Sequence, residues 1–352
     1  MSARIPVAVL AATGSVGQRF IQLLADHPWF EVVAITASDR SVGKSYAEAC
    51  HWILPTPIPA AVQGMVLQPT DPASAPAPLV FSALPADAAR NVEPEFARAG
   101  AWVCSNASAY RMAQDVPILM PEVNPQHLDI LSIQQSNRGW SGGILTNSNC
   151  TSAGMTVALK ALQDAFGLRR VFAVSMQAIS GAGYPGVASM DILDNIIPFI
   201  GGEEEKVETE PLKMLGRFDG NAILPADFTI SAHTNRVAVQ DGHIVCLSVE
   251  LAQPASPQQA AEALAAYQAP VTSRDLPSAP QPVIQVRSEP DRPQPRLDRM
   301  AGAGMTTVVG RIRPDKLFTL RLVVSSHNTI RGAAGGSIYN AELLHRQGWV
   351  KP

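Results

Sequence analysis

The chain has 352 residues, 46% of them hydrophobic and 16% charged, and a formal net charge of −3. That length exceeds what one hydrophobic core usually organises, so two domains are expected, and the apolar content excludes a disordered chain. The small negative charge gives no electrostatic ground for nucleic acid or an anionic membrane as partner.

The N-terminus runs straight into a strand-like segment without the pattern of a secretory leader, and no apolar run reaches membrane-spanning length, so a cytoplasmic protein is expected. Residues 5–10 predict a buried strand, residues 15–26 a helix with Val16, Phe20, Leu23 and Leu24 on one face, and residues 31–37 a second strand. Residues 79–84 and 101–106 predict two further strands around a helix over 86–99. Such alternation implies a Rossmann-type parallel sheet with helices on its faces. The character changes after Cys150. A helix over 152–166, strands over 170–179 and 244–251, a helix over 256–267 and an alternating stretch over 311–325 predict an α+β domain with a mainly antiparallel sheet. The Pro-rich stretches 55–59 and 269–296 look like surface loops, and Gly332 to Arg346 is rich in small residues and then helical.

The turn after the first strand, Ala11-Ala12-Thr13-Gly14-Ser15-Val16-Gly17, opens a helix. There, main-chain N–H groups and the helix dipole can meet a pyrophosphate. Ala11 stands where such loops normally carry their first glycine, which a methyl group tolerates if φ stays negative. Asp39 after the second strand could accept from a ribose 2′-hydroxyl, as in NAD enzymes. Ser38, Arg40, Ser41 and Lys44 around it suit a 2′-phosphate and favour NADP.

The four cysteines form no CxxC pair, so neither a disulfide framework nor a metal site is expected, and a scattered cysteine is usually a small buried residue. Cys150 differs, because Asn147-Ser148-Asn149 leads into it and a helix begins near Ser152. A thiol at a helix N-terminus is expected to have a lowered pKa. His243, read as lying on a turn before a strand, is the candidate base.

Taken together, these segments resemble those of the aspartate-β-semialdehyde dehydrogenase family, in particular its archaeal and fungal branch, from residue 6 to about residue 340. The resemblance rests on the glycine turn and on Ser148-Asn149-Cys150-Thr151. It also rests on Gln177 with the loop Ser180-Gly181-Ala182-Gly183, and on Gly202-Glu203-Glu204-Glu205-Lys206. Arg236 seven residues before His243, and Asn328 with Arg331-Gly332, complete it. It implies an NADPH-dependent reduction of β-aspartyl phosphate to aspartate semialdehyde, with phosphate released and a thioacyl-enzyme on Cys150. His243 would be acid and base, and Gln177 would orient the acyl group. Arg236 would bind the α-carboxylate, Glu203 the α-ammonium, and Arg111 with Lys206 the phosphate. Asn149 and the Cys150 N–H would serve the substrate turn and the oxyanion. Thr13, Gly14, Ser15, Val16, Ser82, Ser180, Gly181, Gly183 and Asn328 would join the loop after the second strand in holding the cofactor.

The expected domains are 1–149, completed by 327–352, for the dinucleotide, and 150–326 for catalysis and oligomerisation as a homodimer or homotetramer. Within the same chemistry, an acyl-CoA reductase such as malonyl-CoA reductase would use the same Cys, His and Arg, and N-acetylglutamyl-phosphate reductase fits the Glu203 to Lys206 segment less well. A non-catalytic nucleotide sensor of the same fold would have no use for the full set of Cys, Gln, Arg and His.

Overall fold

The computed structural model describes residues 4–351. Strands β1 (Ile5–Leu10), β2 (Phe30–Ile35), β3 (Leu79–Ser82), β4 (Trp102–Ser105) and β5 (Gly143–Thr146) form a parallel sheet in the order β2-β1-β3-β4-β5. Helices α1 (Ser15–Leu24), α4 (Ala86–Arg98) and α5 (Ile130–Arg138) connect them, with four-residue helices α2 (Tyr46–Ala49) and α3 (Ala60–Gln63) after β2. β3 and β4 are buried along their whole length, as parallel strands covered on both faces must be.

A second sheet takes the order β11-β12-β13-β10-β6-β9. Its strands are β6 (Leu168–Gln177), β9 (Thr229–Arg236), β10 (His243–Leu251), β11 (Ile284–Arg287), β12 (Thr307–Pro314) and β13 (Leu320–Ser326), with a separate hairpin of β7 (Arg217–Phe218) and β8 (Ile223–Leu224). The pairs β6–β10, β10–β13 and β12–β13 are antiparallel, while β6–β9 and β11–β12 are parallel, so the sheet is mixed. The stretch predicted as one alternating segment over 311–325 is a hairpin, and the Pro-rich segment predicted as loop contains the edge strand β11. Helix α6 (Cys150–Phe166), α8 (Glu203–Met214) and α9 (Pro257–Ala266) accompany this sheet, with short helices α7 (Ser189–Ile192) and α10 (Pro295–Asp298). The core between α6 and the sheet is formed by residues such as Val157, Leu162, Leu247 and Val324.

The chain then returns to the first sheet. Residues 330–334 form a π-helical turn, and α11 (Gly335–Arg346) buries Ile338, Tyr339 and Leu343 in the same cluster as Val7, Phe81 and Leu145. A fully buried ion pair between Arg331 and Glu122 fixes that return. Residues 328–329, and residues 332–333 within the π-helical turn, thereby come beside Asn149 and Cys150 at the start of α6.

Candidate active site

The glycine turn and the start of α6 face one cavity of about 490 Å³. It is lined by Cys150, Gln177, Glu203, Lys206, Arg111, Arg236 and Asn149, together with Ser15, Val16, Ser180, Gly181, Gly183 and Asn328. Segments up to 318 residues apart in sequence, Ser15 to Ala333, meet there.

Cys150 is the first residue of α6, two residues earlier than the sequence pattern places the helix start. Asn149 is the N-cap, its Oδ1 accepting the N–H groups of Thr151 and Ser152 at 2.9 and 3.1 Å. Its Nδ2 donates to Glu203 at 2.6 Å, so this side chain orders the turn, and one hydrogen of the amide stays uncommitted. Gly332 closes the other side. A Cβ there would lie 2.8 Å from the Cβ of Cys150.

His243 is buried as the first residue of β10, not exposed on a turn. Its Nε2 lies 3.2 Å from Cys150 Sγ, and its Nδ1 accepts the Ala178 N–H at 3.0 Å. Gly181 is the spacer between this ring and the arginine: a Cβ on it would lie 2.8 Å from Arg236 Nη1 and 3.2 Å from His243 Cε1. Arg236 ends β9, buried, and donates through Nη1 to the Ala178 carbonyl at 2.8 Å.

The lowered thiol pKa expected from the helix terminus is not found. Burial pushes the Cys150 thiol up to about 12, with Glu203 and Glu210 raising it further against Arg111 and Arg236. Burial likewise pushes His243 down to about 3, assisted by the Arg236 and His327 charges. Burial thus disfavours the charged form of each group.

Helix α8 carries a row of charges toward this turn. Glu203 Oε1 accepts from Asn149, and at 3.4 Å from Gln177, while Lys206 lies 3.5 Å from its other oxygen. Glu210, one turn pair further, accepts the Asn149 N–H at 2.6 Å and Arg111 Nη1 at 3.0 Å. Lys213 donates to three carbonyls, of Arg111, Ala113 and Val116, each at 2.7 Å. Burial lowers its pKa to about 8. Glu210 and Lys213 were missed in the sequence because charges on a helix normally mark a solvated face. Their spacing of seven and ten residues from Glu203 was the available signal.

The nucleotide end fits a dinucleotide. Gly14 caps α1 without a side-chain hydrogen bond, leaving the helix terminus open toward Ser15 and Val16 in the cavity. A Cβ at Gly17 would lie 2.3 Å from the Ala11 carbonyl oxygen, so only glycine lets the helix start this close. Ala11 does not keep negative φ. It sits at φ 55, a left-handed conformation costing an L-residue about 1 kcal/mol, held by Ala11 N–H to Thr36 Oγ1 at 3.3 Å. Thr13 contributes its carbonyl, which Gln18 Nε2 ties down at 2.9 Å. Ser38, Arg40, Ser41 and Lys44 follow β2, beside β1, outside the walls of the cavity. Arg40 and Lys44 are exposed and enter no ion pair among the described residues, a donor set that suits a phosphate. Ser82 is not brought to the cavity: it is fully buried, with its hydroxyl unpartnered near the buried Glu93. Asn328 is committed to protein partners, Ser180 Oγ and the Gly242 N–H, both at 2.8 Å. No group of three His, Cys, Asp or Glu side chains among the described residues is placed to hold a metal, and no helix there is long and apolar enough to cross a membrane.

Comparison with known proteins agrees with this geometry. Two family models match, "Semialdehyde dehydrogenase, NAD binding domain" over residues 6–131 and "Semialdehyde dehydrogenase, dimerisation domain" over residues 159–331. The aspartate-semialdehyde dehydrogenase of Archaeoglobus fulgidus is 54% identical, with 98% of this chain and 99% of that protein covered. The enzyme of Schizosaccharomyces pombe is 48% identical, covering 97% and 98%. A crystal structure of the Candida albicans aspartate semialdehyde dehydrogenase with NADP superposes with a TM-score of 0.90 at 42% identity, over 99% of this chain and 100% of that one. The chain belongs to the aspartate-semialdehyde dehydrogenase family.

Proposed function

We propose that this cavity reduces β-aspartyl phosphate to aspartate semialdehyde, with NADPH as reductant and phosphate as the second product, as a step in the biosynthesis of lysine, threonine and methionine. The observation that carries the reading is the Cys150 Sγ to His243 Nε2 contact of 3.2 Å, at a helix terminus in a cavity that also presents Arg236, Arg111 and Lys206. Cys150 attacks the acyl carbon and expels phosphate, leaving a thioacyl-enzyme. Bound NADPH supplies the hydride that reduces this thioester. His243 Nε2 and the Cys150 N–H, the first amide of α6, donate hydrogen bonds to the carbonyl oxygen as it becomes an oxyanion. The Cys150–carbon bond then breaks and the aldehyde leaves.

Charge sorts the substrate. The guanidinium of Arg236 suits the α-carboxylate, and Glu203, with one oxygen already held by Asn149, offers the other to the α-ammonium beside Lys206. Arg111 and Lys206 supply the cations for the phosphoryl group. The helix terminus at Gly14 to Val16 holds the pyrophosphate, and Arg40 and Lys44 with Ser38 and Ser41 hold the 2′-phosphate. Residues 1–149 with the C-terminal return make the dinucleotide half, and residues 150–326 make the catalytic half.

The protein works as a homo-oligomer, and we place its subunit contact on the less buried face of the second sheet. There Val174, Cys246 and Val323 lie side by side across three strands as a half-buried apolar row.

The experiment runs the reaction backward, following NADPH formation from aspartate semialdehyde and NADP with phosphate or with coenzyme A. Turnover with phosphate is expected. Turnover with coenzyme A and none with phosphate would replace the acyl phosphate by an acyl-CoA substrate.

A further inference from the structure

We propose that Lys213 is a built-in cation whose ammonium shapes the loop at 106–117 and thereby positions Arg111 for the phosphoryl group. Nζ of this buried side chain donates to three main-chain oxygens of that loop, the carbonyls of Arg111, Ala113 and Val116, each at 2.7 Å. An ammonium has three N–H donors and no acceptor, so the set is complete. A neutral amine would turn its lone pair on one of the three oxygens. Carbonyl oxygens that converge on one point are the arrangement with which proteins hold cations, and here the chain supplies the cation itself.

The loop has little else to define its shape. Within it, the Arg111, Ala113 and Val116 N–H groups bond the carbonyls of Ser108, Tyr110 and Ala113 at 3.3, 3.0 and 3.3 Å, single turns and no ladder. The Asp115 carbonyl is taken by Gln134 Nε2 of α5 at 2.9 Å. Four loop carbonyls are thus satisfied by two side chains that reach in from helices. The titratable and charged groups facing Lys213 are Glu210 on α8, Asp115 of the loop and His127 before α5. Both carboxylates are paired elsewhere, Glu210 with Arg111 and Asp115 with Arg138. Lys213 therefore enters no ion pair among the described residues, and its charge is spent on the loop.

That loop carries Arg111, and α8 holds this residue at both ends. Glu210 binds its guanidinium at 3.0 Å, and Lys213, three residues on along the same helix face, binds its carbonyl. Nη2 turns back to the Asn106 carbonyl at 2.7 Å. Lys213 is accordingly a positioning residue that acts through Arg111, and its role in phosphate binding rests on the acyl-phosphate reading above.

Lys213→Met keeps the length of the side chain and removes its charge and donors. In the reverse reaction KM for phosphate is expected to rise about tenfold or more in this variant. The burst of NADPH from aspartate semialdehyde and NADP without phosphate needs no phosphoryl contact, and its rate should stay within about twofold of wild type. In Lys213→Ala, refolded with n-propylammonium to replace the lost carbons and ammonium, the urea midpoint and KM for phosphate should return toward wild type, and 1-propanol should not restore them. The charge is read in the unaltered enzyme by ¹⁵N-lysine spectra, whether or not the variants fold. Lys213 is the buried lysine, and at pH 7 its Nζ is expected as an ammonium with slowly exchanging protons. A neutral Nζ at pH 7, an unchanged KM for phosphate in Lys213→Met, a burst lost in step with phosphate binding, or equal rescue by 1-propanol would each overturn the proposal. A wild-type enzyme that turns over with coenzyme A and not with phosphate would overturn the acyl-phosphate reading instead, and the role assigned to Arg111 with it.

Discussion

Glu210 binds the Asn149 N–H through one carboxylate oxygen, at 2.6 Å, and Arg111 through the other, at 3.0 Å. One buried side chain of α8 therefore fixes both the turn that presents the nucleophile and the cation assigned to the phosphoryl group. Glu210→Gln keeps the volume but leaves Arg111, largely buried, without its counter-charge. Breaking such a pair costs about 3 kcal/mol. Urea unfolding is expected to shift by roughly that amount, and kcat/KM for the acyl phosphate to fall at least about tenfold. An unchanged kcat/KM would remove Glu210 from the positioning of the site.

Gly332 is held to glycine by Cys150. With a Cβ 2.8 Å from the cysteine Cβ and 2.9 Å from its Cα, Gly332→Ala must displace the nucleophile or the π-helical turn. A misplacement near 1 Å costs about a hundredfold in rate. That loss is expected in kcat, with far-ultraviolet circular dichroism unchanged. Gly64→Ala, which would meet nothing within 4 Å, is the control and should leave activity intact.

Arg40 and Lys44 are exposed, so removing them should change cofactor choice and little else. In the double variant Arg40→Ala, Lys44→Ala, KM for NADPH is expected to rise about tenfold or more while kcat at saturation holds. KM for NADH should barely move. An equal rise for both cofactors would place the 2′-phosphate elsewhere.

Acid should unfold the protein through its buried histidines. Burial lowers His127 to about 4, and its neutral ring is satisfied on both sides, by Asn124 Nδ2 at 3.0 Å and the Gly216 carbonyl at 3.1 Å. His327 is lowered to about 4 and His243 to about 3 for the same reason. A depressed folded pKa means the unfolded chain binds the proton first. Each group's contribution is thus whole above pH about 6.5 and is lost as pH falls toward 4. The urea midpoint should drop across that window, and His127→Gln should flatten the drop. A slope unaffected by that substitution would contradict the assignment.

The first half of the fold was legible because its signals are local. β1, α1 and β2 each begin within one residue of the predicted position, since apolar runs and a glycine turn bound them. Cys150, Gln177, Arg236, Glu203, Lys206 and Arg111 were all singled out, and all line one cavity. What escaped depends on three-dimensional context. β9 reads Thr-Ile-Ser-Ala-His-Thr-Asn-Arg, whose open face is too polar to mark a strand at the sheet edge. The left-handed Ala11 and the buried Ser82 escaped because local sequence shows neither the strain a fold imposes nor which side of a strand the cavity occupies. The direction of the Cys150 shift was misjudged for a similar reason: a helix start announces its dipole, but burial is set by α8 and the C-terminal return.

The claim on which the account turns is a thioacyl bond at Cys150. It is tested most directly by mixing enzyme, aspartate semialdehyde and NADP without phosphate, quenching in acid and mapping the adduct by peptide mass spectrometry. Oxidation can then proceed only as far as the thioester. A burst of one NADPH per active site, with the aspartyl group found on the Cys150 peptide, is the expected result. A burst that leaves the acyl group on another residue, or no burst and no adduct in an enzyme that turns over when phosphate is added, would contradict it.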